Sequence, residues 1–251
     1  MVSACHHGSV SKKADSSTST QSSDVPGRLV AATIELLAQV GPSEIKVRRI
    51  TEAAGVSTIA VYHHFGGVAE LLDAVVAHGY RTLTAAMNDA AGASSDPGAQ
   101  LFGIALANRF LAQRNPHLYD LMFGLSTRGT YRYVANPTGG PAERFATAYE
   151  VLLNACRRLV DSGRIDLTDE HQVAAELWIF VHGFVTLEAA GHFTRFENPV
   201  SDVLAPMGVH QFVGMGDERV RAESSAMAAL VWWNTEGPGL DAEGHIHVAD
   251  F

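Results

Sequence analysis

One stretch, ITEAAGVSTIAVYHHFGG at residues 50–67, constrains the fold of the chain more than any other. Its apolar residues follow a helical spacing, but Gly55 divides the stretch and Gly66-Gly67 ends it. Ser57 follows soon after the dividing glycine and is a natural N-cap for a new helix. The pattern therefore predicts two short helices that are joined by a tight glycine turn.

A further helix is predicted before this pair. Pro26 is placed to open it, an apolar stripe at helical spacing continues it, and Gly41-Pro42 stops it. Val61 and Phe65, one helical turn apart, are expected to hold the third helix against the first two. Three short helices with such a turn have helix-turn-helix geometry, for which DNA is a typical ligand. An ordinary three-helix packing unit is the alternative interpretation.

The predicted contacts with DNA lie on the third helix and just before it. Small and apolar residues early in a recognition helix can approach base edges and thymine methyl groups in the major groove. Tyr62 and His64 can donate to phosphate oxygens, and Arg48 and Arg49 can reach the backbone, or a guanine edge in the case of Arg48. The full predicted set is Lys46, Arg48, Arg49, Ser57, Thr58, Ile59, Ala60, Tyr62, His63 and His64.

The charge of the chain bears on this prediction in two ways. A net charge of −9 argues mildly against a nucleic-acid partner, because such proteins usually carry a basic face. The cluster KVRRI at residues 46–50 is nevertheless basic, and most of the acidic excess lies after Glu70. A locally basic end on an acidic body can still meet phosphates.

Helical patterns continue to the end of the chain, and no strand alternation is convincing. The fold class is therefore predicted as all-α, with a helix-turn-helix domain at 26–72 and a larger helical domain at 73–235. Residues 1–25 and 236–251 are expected to be tails, the first of them disordered, and residues 126–141 a loop. Residues 194–216, with two prolines and three glycines, resist assignment. The predicted helices of the larger domain are 68–91, 98–114, 116–124, 141–162, 169–192 and 217–234.

Several classes of protein are excluded by what the sequence lacks. No run approaches the roughly 18 apolar residues of a membrane span, and no apolar segment marks a secretory signal. Cys5 and Cys156 give no disulfide framework, which favours a reducing, cytoplasmic setting. No phosphate-binding loop, nucleophile elbow, zinc motif or carboxylate pair is present, so neither an enzyme nor a cofactor is predicted.

The helices of the larger domain are rich in large apolar side chains, which typically line ligand pockets, although a plain core role is the alternative for each. His182 and His192, placed in the same predicted helix, could hold a ligand carbonyl or hydroxyl, and a satisfied buried histidine is the alternative. Their spacing does not suit a metal. Arg109 or Arg128 could pair with an acidic ligand. The predicted ligand-binding set is Phe110, Tyr119, Met122, Phe123, Tyr149, Trp178 and His182.

Residues 28–72, RLVAATIELLAQVGPSEIKVRRITEAAGVSTIAVYHHFGGVAELL, resemble the N-terminal DNA-binding domain of TetR-type transcriptional regulators. The resemblance rests on an apolar helix, a glycine, and the motifs VR-I, AGVS and YHHF. Three positions depart from the family pattern, which often has Thr for Lys46, Gly for Ile59 and Lys near Val68. The resemblance implies that the following residues face DNA: Arg48, Thr58, Ala60, Tyr62, His63 and His64.

The resemblance also implies how such a protein would work. TetR-type proteins are homodimers whose larger domain binds a small molecule, and ligand binding tilts the two heads apart and releases DNA. Residues 115–124 and 177–193 resemble the C-terminal domain of one subgroup, named for a Trp-His-Gly signature. Helices 169–192 and 217–234 are expected to form the dimer interface.

The expected function is that of a repressor which binds a palindromic operator in double-stranded DNA and is released by a small organic effector. An activator, or a regulator without a small-molecule ligand, is the alternative.

Overall fold

The computed structural model describes residues 24–124 and 141–237, with the side chains of 141–144 left out. Within these residues all regular structure is helical and no strand occurs, which confirms the predicted all-α class. The predicted tails, apart from their innermost residues, and the predicted loop lie outside the described residues. The helices are α1 Val25–Gln39, α2 Val47–Ala54, α3 Thr58–Phe65, α4 Val68–Gly92, α5 Pro97–Arg114, α6 Pro116–Phe123, α7 Pro141–Asp161, α8 Glu170–Ala189, α9 Ala205–Gly214 and α10 Arg219–Glu236.

The helices begin and end where local chemistry dictates. The Asp24 carboxylate accepts a hydrogen bond from Gly27 N at 3.2 Å and so caps α1, in whose first turn Pro26 lies as predicted. The segment at 194–216, unassigned from the sequence, contains a π-helical turn, Val200–Leu204, that runs into α9. Such turns are rare, and no pattern in the sequence predicts one here.

One expectation about α8 is wrong. This helix ends at Ala189, so His192 lies beyond it and not in the same helix as His182. Gly191 has a φ of 79°, and the N–H of His192 donates to Leu187 O at 3.0 Å, which closes the helix with a turn. The two histidines are therefore not carried on one rigid element.

Helix α4 joins the two parts of the molecule. Its first turns contribute Leu71 and Val75 to the core beneath α1 and α3, and its later turns contribute Leu83 and Met87 to the core beneath α5 and α7. All four side chains are fully buried. The head, defined here as α1–α3, and the body, defined as α5–α10, therefore share one continuous helix.

A buried cluster of charged side chains joins three of the connections between helices to α10. Arg164, in the connection from α7 to α8, donates to both carboxylate oxygens of Asp217, at 3.2 and 2.5 Å, and to Asp96. Asp96 also caps α5, accepting from Gly98 N at 3.1 Å. Ser225 on α10 donates to Asp96 at 2.5 Å and accepts from Arg164 at 3.1 Å. Three connections and α10 are thus fastened at one point.

Among the described residues no single helix is long and apolar enough to span a bilayer, and only the bent pair α3–α4, at 69°, meets that test by length and composition.

Candidate functional site

The turn between α2 and α3 has the predicted tight geometry. Gly55 adopts the left-handed conformation, with φ 62° and ψ 40°, where a side chain would be strained. Arg28 on α1 donates to the carbonyl oxygens of Ala54 and of Gly55, the latter at 3.2 Å. This contact was not predicted, because 26 residues separate Arg28 from Ala54 and no local pattern connects them.

Helix α3 divides into a buried and an exposed face, as its sequence predicts. Val61 is fully buried and Phe65 is half-buried against the head core. Ile59 and Tyr62 are 75% and 60% exposed although both are large and apolar or aromatic. Exposed side chains of this kind on a short helix are available for a partner.

Nine of the ten residues predicted to contact DNA lie at the surface of the head. Ala60 is half-buried, and the other predicted residues are exposed. Ser57 precedes α3 without a capping hydrogen bond from its side chain, and the rings of His63 and His64 meet edge to face in the last turn, with centroids 4.8 Å apart. The exposed residues of this surface are Lys46, Arg48, Arg49, Ser57, Thr58, Ile59, Tyr62, His63 and His64.

One cation on this surface already has a partner. Arg48 Nε lies 2.9 Å from Glu52 Oε1 in an exposed i, i+4 ion pair on α2. Exposed pairs of this type contribute less than about 1 kcal/mol, so a phosphate can compete with the carboxylate for Arg48. Lys46 and Arg49 are exposed on either side of Arg48.

A second candidate site lies in the body, where aromatic rings of α6, α7 and α8 meet and Tyr80 of α4 packs against two of them. We call this group of rings the aromatic cluster. The ring of His182 belongs to it, with centroids 4.1 Å from Trp178 and 4.5 Å from Phe123. The members of the aromatic cluster are Tyr119 and Phe123 on α6, Phe145 and Tyr149 on α7, and Trp178 and His182 on α8.

The structure brings together five of the seven residues predicted to bind a ligand. Phe145 joins them without having been predicted, although its position one helical turn before Tyr149 is a usable signal. Met122 is buried and faces away, packed against Gly79 of α4. Phe110 lies against Trp233 of α10, with ring centroids 5.9 Å apart, and has no described ring contact with the aromatic cluster.

Tyr119 and His182 form a buried hydrogen bond, 2.8 Å between the phenol oxygen and Nδ1. Burial lowers the pKa of His182 to about 4, and burial, followed by Tyr80 and Asp120, raises the pKa of Tyr119. Both groups are therefore neutral near pH 7. The other ring nitrogen, His182 Nε2, is buried without a hydrogen-bond partner among the described residues.

A small cavity of about 30 Å³ lies beside the aromatic cluster, between α5, α7, α8 and α9. Trp178 belongs to both the cavity and the aromatic cluster, because it lines the cavity and its ring contacts that of His182. The one polar side chain in the lining is Asn108, which is 1% exposed. The remaining lining is apolar and includes Phe102, Leu177, Val181 and Phe212.

Arg109, considered from the sequence as a partner for an acidic ligand, already forms an ion pair. Arg109 donates from Nε and Nη2 to the two carboxylate oxygens of Glu188, both at 2.8 Å. Such a bidentate pair satisfies the guanidinium. Arg128 lies outside the described residues. Within 24–124 and 141–237 no group of three metal-ligating side chains occurs.

The helix that carries Tyr119 and Phe123 is bonded directly to the head. Asn115 Nδ2 donates to Ile34 O of α1 at 3.0 Å, while its Oδ1 caps α6 by accepting from Leu118 N at 3.0 Å. At the other end of α6, Tyr80 of α4 donates to Met122 O at 2.5 Å. Helix α6 therefore connects the aromatic cluster to α1 and to α4.

Lowering the pH from 7 to 5 should destabilise the protein through His182. Its pKa of about 4 in the folded state lies below the unfolded value of about 6.5, so its contribution is complete above pH 6.5 and is lost as the pH falls toward 4. The expected loss between pH 7 and pH 5 is about 2 kcal/mol. Denaturant unfolding at both pH values measures it.

The matched comparison for this prediction is His182→Phe. Burial also lowers the pKa of His78, which titrates in the same direction and is retained in the variant. The pH dependence should therefore become smaller in His182→Phe without vanishing. An equal dependence in the variant and the wild type would contradict the assignment to His182.

Two family models match the chain. The model described as bacterial regulatory proteins, tetR family, matches residues 29–75, which contain α2, α3 and the turn between them. The model described as tetracyclin repressor-like, C-terminal domain, matches residues 101–211, which contain the aromatic cluster. The Trp-His-Gly subgroup stays a prediction. No curated protein matches the sequence.

Solved structures share the fold. A protein of unknown function from Rhodococcus sp. RHA1 has a TM-score of 0.68 at 24% identity, covering 80% of this chain and 100% of its own. A gamma-butyrolactone receptor, an ArpA-like protein, has a TM-score of 0.59 at 19% identity over 84% and 97% of the two chains. RolR in complex with resorcinol has a TM-score of 0.53 at 16% identity over 82% and 94%.

Proposed function

Because the chain belongs to the TetR family of bacterial transcriptional regulators, we propose that it is a ligand-responsive repressor. As a homodimer it binds a palindromic operator in double-stranded DNA, and it leaves the operator when a small organic effector binds the body. The family consists of DNA-binding regulators rather than enzymes, and we assign this chain neither a catalytic activity nor a cofactor. It acts in the cytoplasm, where the operator is.

The observation that supports this function most directly is the exposed face of α3. Ile59 and Tyr62 are exposed while Val61 is fully buried, so the helix is anchored on one side and free on the other. Placed in the major groove, Thr58, Ile59 and Ala60 meet base edges and thymine methyl groups, and Tyr62 and the histidines that follow it reach phosphates.

A homodimer is supported by exposed apolar side chains on the outer surface of the body. Ile179 and Leu187, two turns apart on α8, are 71% and 44% exposed, and Met207 on α9 borders the same groove. Met227 and Val231 are likewise exposed on α10, at 62% and 55%. An apolar surface of this extent fits burial against a second copy, and two copies present two α3 helices to two half-sites.

Introducing a carboxylate into this surface should separate the two subunits. Ile179→Glu and Met227→Glu each place an unpaired charge where the dimer buries apolar area, which is strongly unfavourable. Light scattering during size-exclusion chromatography should report a monomer for both variants at a concentration where the wild type is a dimer. The matched control is Ala85→Glu, which adds the same charge to an exposed position of α4.

The path from effector to DNA runs through α6. An effector that displaces rings of the aromatic cluster shifts Tyr119 and Phe123, and α6 moves with them. Its bonds from Asn115 to Ile34 and from Tyr80 to Met122 pass the shift to α1 and α4. The effector changes the DNA affinity only by its differential affinity for the two conformations.

The test is selection of operators from a randomised DNA pool, followed by affinity measurements at several salt concentrations. A palindromic sequence whose affinity falls steeply with salt is the expected result, because each protomer neutralises several phosphates. A reporter under this operator should be more active when the gene for the protein is deleted. Absence of any enriched sequence would contradict DNA binding, and lower reporter output on deletion would contradict repression.

A further inference from the structure

Two polar atoms in the interior of the body lack a hydrogen-bond partner among the described residues. They are Asn108 Oδ1 and His182 Nε2. Buried polar atoms are almost always paired in folded proteins, so an unpaired one calls for a physical explanation. Trp178 links the two residues, because it lines the same cavity as Asn108 and its ring contacts that of His182.

The amide of Asn108 presents an acceptor. Its Nδ2 donates to Ile104 O, one turn earlier on α5, at 3.0 Å. The reverse assignment of the amide would set two oxygens against each other, so the oxygen is the atom left without a partner. Asn108 therefore lacks a donor.

The imidazole of His182 presents a donor. The buried Tyr119 hydroxyl has no other acceptor among the described residues, so its O–H donates to Nδ1, and the neutral ring then carries its proton on Nε2. Nε2–H then has no acceptor among the described residues. Trp178 thus shares the cavity lining with an unpaired acceptor and contacts the ring that carries an unpaired donor.

The surroundings of these atoms exclude a charged ligand. The lining of the cavity holds no ionisable side chain, and Arg109, which follows Asn108 on α5, is bound to Glu188 by two hydrogen bonds of 2.8 Å. An anion brought into this interior would lose its hydration without gaining a counter-charge.

The size of the cavity indicates which group has to move. About 30 Å³ holds one water molecule, whereas an engineered cavity that binds benzene measures roughly 150 Å³. Trp178 is half-buried and forms part of the cavity wall on the side of His182. Trp178 is therefore the residue whose outward rotation would enlarge the cavity toward His182, the ring that it contacts.

We propose that the effector is an uncharged ring compound with a hydroxyl group, which displaces Trp178 and pairs with Asn108 Oδ1 and His182 Nε2. This inference rests on the proposed function, in which the body holds the effector. A hydroxyl is the smallest uncharged group that both donates and accepts. The ring packs against Phe102, Leu177 and Phe212, which line the cavity.

Isothermal titration calorimetry of the full chain with phenol, toluene and benzoate tests the proposal. The three probes share one ring and differ in their single substituent. Phenol should bind at least tenfold more tightly than toluene and benzoate. In Asn108→Leu the preference of phenol over toluene should become smaller, because only His182 Nε2 remains to pair with the hydroxyl. The matched control is Asn88→Leu, at an exposed position of α4, which should keep the preference.

The possible outcomes separate this inference from the proposed function. Benzoate or toluene binding as tightly as phenol, or no binding of any probe to the wild type, overturns the proposal. Should Asn108→Leu fail to fold by circular dichroism, His182→Phe removes the other partner and makes the same comparison. Phenol that binds with the expected preference but leaves the operator affinity unchanged contradicts the release from DNA and not the chemistry of the site.

Discussion

Replacing Arg164 with methionine should lower the free energy of unfolding by about 3–5 kcal/mol. The substitution keeps most of the side-chain volume and removes the charge that pairs with Asp217 and Asp96. The Asp217 carboxylate is fully buried and would be left without its cation, which is the costly case for a buried ion pair. Urea unfolding followed by circular dichroism measures the loss.

The control for this prediction is an arginine of the same type in an exposed pair. Arg219 lies 3.7 Å from Glu223 on the surface of α10, and Arg219→Met should change the stability by less than about 1 kcal/mol. Similar losses of unfolding free energy in Arg164→Met and Arg219→Met would contradict the prediction that a buried ion pair costs more to break than an exposed one. The double variant Arg164→Met, Asp217→Asn should recover part of the loss, because it no longer buries that unpaired carboxylate.

The substitution Tyr62→Ala should weaken binding to the selected operator by at least about 150-fold. A hydrogen bond from a phenol to a charged phosphate contributes about 1.5 kcal/mol or more, and a dimer loses two of them, or about 3 kcal/mol in total. The side chain is 60% exposed, so its removal should leave the stability of the head unchanged. Fluorescence anisotropy with labelled operator measures the affinity.

Two further variants make this result specific. Tyr62→Phe removes only the hydroxyl and should lose nearly as much affinity, if the hydroxyl contacts a phosphate. Arg81→Ala, at an exposed position of α4, removes a cation outside the predicted surface and should bind the operator almost normally. Unchanged affinity in Tyr62→Ala would place the DNA elsewhere on the head.

The local features of the head follow from the sequence because short-range chemistry determines them. Gly55 has the left-handed conformation that ends α2, and Val61 and Phe65 face the core at their predicted spacing. Five of the six members of the aromatic cluster were predicted from residue type, but Phe145 was missed and Phe110 shows why type is insufficient. It has the same chemistry as Phe123 and lies against Trp233 instead.

The features that the sequence did not reveal join residues far apart in the chain. Arg28 meets Ala54 across 26 positions, and Arg164 meets Asp217 across 53. The sequence does not show whether a charged side chain is solvated or buried. Only the packing of the folded chain shows this. The unpaired atoms of Asn108 and His182 were invisible for the same reason, since a missing partner is a property of the surroundings.

The shared helix α4 has a consequence for how the molecule responds to heat. A head cut from the body at residue 72 would lose Val75 and Val76 from beneath it and the bond from Asn115 to Ile34. Head and body are therefore not interchangeable modules, and they should melt in one cooperative transition. A ligand bound to either part then protects both, so operator DNA should shield the body from proteolysis at sites that it never touches.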